Sequence, residues 1–449
     1  MTSADIIPPA AAAVSADGAA PRSIRPVYNG SRKDLFFIAL GRMILTIVTL
    51  GIGRFWMITR LRRYYWSSIE IDGAPLEYTG RAIEKLLGFL IAIVALAAYL
   101  LVVNLALTFI GLSVFDGNPL ALQLPLLALL PLIYWAVYRA YRYLLARTRW
   151  RGIRFGLLPG AWGYTWRAML WSFLSVLTLG LLYPVAQMKL SRYVTNRSFY
   201  GDLRFEQRGA IWPLMKSWLM FWAPLVVLIV GQMALVYWTV TQRVSRLDPN
   251  TIPSPDASGP ANPFAAIAGG MGGIALLLIF IFWSIFAYLH HQVFSFRHIY
   301  GGKVLGGRTF ATITVSVWTI IGVYLVGWIV IGVVLGITAA IFTALGFGVL
   351  AGAGLDFQML EAMANGQMMF DPSALIGIAL LALIYLPVVA MASAMSHAFI
   401  SHPLLAATIS TVDIHDIDGV GRARQREHDE AAEAGGFADA LGADIGGGL

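Results

Sequence analysis

The chain of 449 residues contains no cysteine, which excludes disulfides, thiolate metal sites and cysteine nucleophiles at the outset. Charge is also scarce. Asp, Glu, Lys and Arg make up 12% of the residues and apolar types 58%, against about 25% and roughly 45–50% in ordinary globular domains. A soluble chain of this length could not cover its surface with so few charges. The signatures of common catalysts are missing too: no GxSxG, no HExxH, no Walker A loop and no paired carboxylates within an apolar run. A catalytic role therefore has no residue to rest on, and the chain reads as a non-enzyme without a cofactor. His290, His291 and His397 have no carboxylate at ligand spacing, so no metal site is expected either.

What the chain does have is length in apolar runs. Runs able to cross about 30 Å of hydrocarbon occupy 86–112, 121–143, 214–240, 273–296, 311–336 and 373–399. Two others, 35–57 and 168–188, are as long but are flanked by basic residues on both sides. A Gly/Ala-rich stretch, 337–354, can be placed either way. Lys and Arg outnumber Asp and Glu by 32 to 24 and cluster between the runs. That pattern fits retention on the cytoplasmic side beside anionic lipid, and it argues against nucleic acid as the partner.

The basic flanks conflict with simple crossing. Loop 139–167 carries seven arginines and no acid, and loop 189–208 carries Lys189, Arg192, Arg197, Arg204 and Arg208. The positive-inside rule puts both in the cytoplasm, yet only 168–188 separates them. Both ambiguous runs contain Thr-Leu-Gly, at Thr49–Gly51 and Thr178–Gly180. Glycine can break a membrane helix where neighbouring protein supplies the lost hydrogen bonds. The runs are read as dipping in and returning, or as lying at the cytoplasmic interface; two ordinary spans with one exported basic loop are the alternative. Loops 113–120, 241–272 and 355–372, poor in Lys and Arg, read as periplasmic.

A unit recurs along the chain. Arg63-Tyr64, Arg142-Tyr143 and Arg192-Tyr193 each end an apolar run, and Gly73, Gly152 and Gly201 follow the Arg by ten, ten and nine residues. Leu76, Phe155 and Phe205 come next. Asp-Gly or Gly-Asp between alternating residues signals a hairpin whose glycine supplies positive φ. Arg snorkelling to phosphates with Tyr at headgroup depth makes the dipeptides interfacial anchors. Strand alternation places Arg147, Arg149 and Arg151 on one face, toward anionic lipid. Weaker copies are read after His291, with Gly301 as the turn, and in 373–399, with Pro387 and Phe399.

The expected fold is an all-α polytopic membrane protein with about six to eight membrane helices, some broken or re-entrant, and short cytoplasmic β-hairpins after helix ends. Residues 1–27 read as a disordered cytoplasmic tail and 28–402 as the membrane domain, with units at 28–85, 121–165, 168–210, 273–310 and 373–402. Residues 403–449 read as a second cytoplasmic tail. Polar residues within apolar runs are costly and often functional, which singles out Arg42, Asn104, Gln187, Lys216 and Gln232.

Thr-Leu-Gly, then Arg-Tyr, then a hairpin Gly and an aromatic resembles the YjgN-like family of bacterial inner-membrane proteins. The ending Gly435-Gly436-Phe437-Ala438-Asp439, followed by Asp444-Ile445-Gly446, is similar to that family's C-terminal tag. The resemblance runs from residue 28 to 449 with gaps. It implies a multi-pass bacterial inner-membrane protein and brings no biochemical activity with it. Two functions stay open: a transporter or permease-like protein for a small or anionic substrate, and a non-transporting scaffold or anionic-lipid-interacting protein. A polar cavity lined by Arg42, Gln187 or Lys216 favours the first, and a closed apolar core the second.

Overall fold

A span in hydrocarbon must satisfy its own backbone hydrogen bonds, so long apolar runs become helices. In the computed structural model, residues 22–109, 119–245, 263–352 and 385–426 are described. Among them five helices are long and apolar enough to cross a membrane: Ala82–Phe109, Leu124–Ala146, Leu278–Gly301, Val317–Gly346 and Tyr385–Ile409. The chain is a polytopic helical membrane protein.

In chain order the elements are β1 (Val27–Tyr28), α1 (Arg32–Val48), α2 (Arg54–Ser67), β2 (Ile69–Ile71), β3 (Ala74–Tyr78), α3 (Ala82–Phe109), α4 (Pro119–Ala128) and α5 (Leu130–Ala146). Next come β4 (Thr148–Trp150), β5 (Ile153–Leu157), α6 (Ala161–Leu177), α7 (Tyr183–Thr195), β6 (Ser198–Tyr200), β7 (Leu203–Gln207), α8 (Trp212–Ser245) and α9 (Pro263–Gly301). After β8 (Lys303–Leu305), β9 (Thr309–Ile313) and α10 (Val317–Gly352), the helix Tyr385–Ile409 leads to β10 (Val412–His415) and a 3₁₀ turn, Ile417–Arg422.

Several boundaries differ from the sequence reading. The run 311–336 starts as strand, because Thr309–Ile313 belongs to a sheet, and its helix begins at Val317. The stretch 337–354 continues that helix as far as Gly352. Neither tail is wholly a tail: Ile24, β1 and β10 are in the sheet, and Ile417 and Val420 are buried. The loops 113–120, 241–272 and 355–372 lie wholly or mostly outside the described residues, as do 373–384 and the C-terminal tag.

The chain divides into two compact units. One comprises Met1–Leu170, Leu190–Arg208 and Tyr300–Leu449; the other comprises Trp171–Lys189 and Gly209–Ile299.

The first unit contains one ten-stranded antiparallel sheet whose strands follow sequence order, β1 to β10. It closes on itself. Ile24 N–H donates to Ile414 O at 2.9 Å and Ile414 N–H to Ile24 O at 2.8 Å, while three residues later Val27 pairs with Glu70 on β2. Closure also shows in the packing. Trp150 and Tyr200 sit in one buried cluster with Ile417 and Val420, and residues from the first segment to β10, including Ile24, Ile71, Phe155, Leu305 and Ile414, pack against it. The 3₁₀ turn thus fills the interior of the ring. Gly201 makes room for it: a Cβ there would collide with the carbonyl oxygen of Arg424. Arg424 N–H also donates to Asp202 at 2.8 Å.

Three of the hairpin turns have two residues, and the β8–β9 turn has three, Gly306 to Arg308. At Asp72-Gly73, Arg151-Gly152 and Gly306-Gly307 both residues have positive φ, the type I′ pattern. At Gly201-Asp202 only the glycine does, as in type II′. Gly201 therefore takes the first turn position where Gly73 and Gly152 take the second, which accounts for its spacing of nine. The segment after His291 is corrected in the same way. Gly301 ends α9, and the turn is Gly306-Gly307, with Gly307 ten residues after Arg297. Phe399 lies in a π-helical turn, His397–Ser401, and not after a hairpin.

The run 35–57 reverses at Thr49-Leu50-Gly51. Leu50 is left-handed, and Gly51 N–H reaches back to Thr46 O at 2.7 Å, which makes a Schellman-type end. Thr49 Oγ1 donates to Leu45 O and accepts from Gly53 N–H, each at 2.6 Å. The two ends meet: Tyr64 Oη accepts from Ser31 N–H at 2.6 Å and donates to Ser31 O at 3.1 Å. The second run repeats the chemistry with left-handed Leu179, a Gly180 N–H to Ser175 O bond of 2.6 Å, and Thr178 Oγ1 donating to Leu174 O. At its base Tyr193 Oη donates to Gly160 O at 2.9 Å.

In the second unit, Trp218 Nε1 donates to Gly180 O at 2.9 Å, and Met188, Leu214 and Ile299 form a buried cluster. His291 is fully buried there, with Ser217 Oγ 2.7 Å from Nδ1 and Ser295 Oγ 3.1 Å from Nε2.

Ring closure can be tested by removing its donor. Ile414→Pro deletes the N–H that bonds Ile24 and should cost about 1–3 kcal/mol, lowering the melting temperature in detergent. Arg25→Gln removes only the solvent-exposed ion pair with Asp413 and should lower the melting temperature much less. Equal losses would show that the backbone pair does not hold the ring.

Candidate functional site

The first unit contains a cavity of about 520 Å³ against the ring, lined by apolar and charged side chains together. Leu76, Phe155 and Phe205, the residues that follow the hairpin turns, line it and also pack on the ring core. The ends of α2, α5 and α7 and the helix Tyr385–Ile409 contribute the rest of the wall. Most of that wall is apolar. The charged side chains that reach it are Arg42, Arg62 and Lys303, accompanied by His397, and among the described residues no Asp or Glu lines it.

Each cation arrives for a local reason. Arg42 lies a little beyond the middle of α1. One of its guanidinium nitrogens is 3.3 Å from His397 Nε2, and His397 Nδ1 is 3.2 Å from Tyr65 Oη. A guanidinium can only donate, so Nε2 accepts, Nδ1 carries the proton, and the Tyr65 oxygen receives it. The π-helical turn His397–Ser401 puts both of its end residues on the cavity wall; such turns are often found at functional sites. Arg62 is buried although it belongs to a cluster with Arg60 and Arg63. Helical geometry separates them, since residues two apart differ by about 200° and residues three apart by only about 60°. Arg60 and Arg63 instead line a second hollow of about 710 Å³, beside the exposed Trp56 and Ile83.

Lys303 opens β8. Its ammonium lies 3.9 Å from the centroid of the Tyr300 ring and makes no ion pair among the described residues. Burial lowers its pKa from 10.5 to about 8.

The five polar residues singled out from sequence are not gathered in one place. Arg42 reaches the cavity. Asn104 Nδ2 donates to Leu100 O, one turn back in its own helix, at 2.9 Å. The side-chain oxygen of Gln187 is buried without a hydrogen-bond partner, in the second unit. Lys216 is exposed, with its ammonium 5.9 Å from the Trp212 ring. Gln232 lies in α8, and its side chain is outside the described residues.

The Arg-Tyr pairs are internal fastenings in this structure. Tyr143 is fully buried, and its hydroxyl donates to Glu84 at 3.1 Å. Tyr64 and Tyr193 fasten the bases of the two reversed runs, and Arg63 donates to Gly80 O at 3.0 Å. Arg142 and Arg192 stand at corresponding helix ends, their Nε atoms buried. The basic strand is also partly neutralised. Arg147 pairs with Glu84 at 3.0 Å, Arg151 with Asp72 at 2.5 Å, and Arg149 sits across from Glu77. Among the described residues, no group of three His, Asp or Glu is placed to hold a metal ion.

Sequence reasoning missed Arg62 and Lys303. The helical angle within Arg60–Arg63 carried a signal for the first. For the second, a lysine following Gly301-Gly302 was legible only once β8 was known to line the ring.

The sequence pattern of the DUF898 family, described as bacterial protein of unknown function, matches residues 24–344. Inner membrane protein YjgN of Escherichia coli O157:H7 is 23% identical over 164 residues, which are 36% of this chain and 38% of that protein. Its counterpart in Escherichia coli strain K12 is 24% identical over the same length and shares. Inner membrane protein YjgN of Salmonella typhimurium strain LT2 is 37% identical over 75 residues, 16% of this chain and 19% of that protein. The chain thus spans less than half the length of these curated relatives. No solved structure matches.

The state of Lys303 can be measured directly. The chain has only five lysines, so a pH titration of the reductively methylated protein by NMR can resolve them. One resonance should titrate near pH 8 and vanish in Lys303→Arg. Between about 8 and 10.5 the unfolded chain holds a proton that folded Lys303 has lost, so stability should rise with pH across that window. A Lys303 midpoint near 10.5 would show that its ammonium is solvated.

Proposed function

We propose that this chain, which belongs to the DUF898 family of bacterial proteins, is a permease-like inner-membrane protein that holds a small or anionic substrate in the cavity beside its β-ring. One observation carries the reading: the charged side chains lining the cavity, Arg42, Arg62 and Lys303, are all cationic. A wall with one sign of charge and little water focuses its field on an anion of the opposite sign. Nothing in the cavity suggests bond chemistry, and the reading is of binding and passage without catalysis.

The membrane placement belongs to the same reading. The relatives are named inner membrane proteins, and the clustered arginines put the ring and the N-terminus in the cytoplasm by the positive-inside rule. Segments with Arg at 63, 142, 192 and 297 and turn residues at 73, 152, 202 and 307 act as four copies of one unit. In this reading the two reversed runs dip into the bilayer, with Leu50 and Leu179, 95% and 79% exposed, in hydrocarbon at their tips. Discontinuous helices around a buried site are a recurring feature of transporters.

A scaffold that recruits anionic lipid is the alternative. The pairing of Arg147 and Arg151 with carboxylates weakens it, since a paired arginine has less charge to offer a headgroup.

Access separates the two. The chain is free of cysteine, so Ser401→Cys places one thiol on the cavity wall. Small charged thiol reagents should reach it from either face of the membrane, in intact cells and in inverted vesicles. Reaction from one face only would leave a binding pocket without a path, and the permease reading would fail.

A further inference from the structure

We propose that the cavity takes a single-chain amphiphile with an anionic head, its tail along the apolar wall and its head on the ammonium of Lys303. This rests on the reading of the cavity as the substrate site and narrows the substrate's class. Volume gives the first constraint. A water molecule takes about 30 Å³ of liquid and a methylene is of similar size, so 520 Å³ holds roughly 17 heavy atoms. That matches one acyl chain with its carboxylate.

The wall gives the second. Leu61, Leu76, Leu145, Phe155, Phe205 and Leu405 come from helices and strands far apart in sequence and share this one space. A small hydrated anion would leave that surface wet, and burying apolar surface against a chain is what removes it from water. A neutral lipid fits the wall no better than an acid does, but it offers nothing to Lys303.

Lys303 gives the third. It is half-buried, has an aromatic ring for a neighbour and makes no ion pair among the described residues. A carboxylate would restore the charge partner that burial takes from it, whereas Arg42 already donates to His397. The lowered pKa of Lys303 agrees: its position disfavours a lone charge.

The test uses the full chain in nanodiscs of neutral phosphatidylcholine, with radiolabelled palmitate as the probe. Palmitate should bind saturably, close to one per chain. Hexadecanol, which keeps the chain and drops the charge, should bind at least about tenfold more weakly, as should palmitate to Lys303→Gln, the order expected for a lost charge-assisted contact. Lys303→Arg should bind nearly as the wild type does. Leu405→Trp, which fills the cavity and leaves the charges in place, should abolish binding while the helical circular dichroism is retained. If acetate or inorganic phosphate binds in a Lys303-dependent way and palmitate gains nothing from its chain, the amphiphile is wrong and the small-anion permease stands. If anionic phosphatidylglycerol displaces palmitate at stoichiometric amounts, a two-chain lipid is the occupant and the volume argument fails. Palmitate binding that survives both Lys303→Gln and Leu405→Trp lies elsewhere and overturns the proposal. Should no probe bind saturably, both the proposal and the reading beneath it fall.

Discussion

The antiparallel pair between Ile24 and Ile414 is the interaction on which the rest of the first unit depends. Strands of three to five residues in hairpins with turns of two or three residues are marginal alone. An open sheet of ten would also expose two rows of unpaired N–H and C=O groups. Joining the first segment to the last removes both edges. Closure makes an interior as well, and that interior is filled by Trp150, Tyr200 and the 3₁₀ turn Ile417–Arg422. The Trp150 indole donates to Ile71 O and Ala74 O, and the Tyr200 hydroxyl donates to Trp150 O, so the polar groups carried inside are satisfied. The residues that close the ring lie nearly 400 positions apart, and the segments between them must therefore each leave the sheet and come back to it.

The reversed runs show how return is enforced. A helix in hydrocarbon cannot end with bare carbonyls, since no water is there to meet them. At Thr49 and Thr178 the side chain covers part of that need, and the left-handed leucine with its following glycine covers more through the back-bond to Thr46 or Ser175. A non-glycine left-handed residue is uncommon and strained, yet leucine stands at both tips. On the proposed placement of the tips in the bilayer, exposed leucine offers hydrocarbon an apolar surface that glycine lacks, which offsets the strain. At the other end a tyrosine 33 residues beyond Ser31 or Gly160 closes the loop with a hydrogen bond to that residue.

Local chemistry was therefore legible in the sequence, and long-range assembly was not. Thr-Leu-Gly announced the reversals, and Asp72-Gly73 and Gly201-Asp202 announced the hairpins, because turns use residue types fixed by φ. The fourth hairpin was placed five residues early, since Gly301-Gly302 and Gly306-Gly307 look alike without a register. Arg-Tyr looked like a lipid anchor because aromatic and basic residues at a helix end are equally suited to headgroups and to a buried carboxylate; the Glu84 that receives Tyr143 lies 59 residues away. Closure of the ring could not be read at all. Ser23, Ile24 and Arg25 sit within an unpatterned leader, and nothing local states that His415, Ile414 and Asp413 are their partners.

The same geometry decides where the cavity must be. Inward-facing residues alternate along each strand, and those nearest the turns are taken up by Ile417, Val420 and the ring core. The inward residues that also face the helix ends, Leu76, Phe155 and Phe205, pack on that core and border the cavity as well. The helices could have filled that space with leucine, as they fill the cluster of Ile331, Met395 and Ile400. They bring Arg42 and Arg62 to it, and β8 brings Lys303. Three cations on one apolar wall make its potential positive, and among the described residues no carboxylate lines it. On the proposed reading, a space that apolar side chains could have closed is kept open for an anionic ligand.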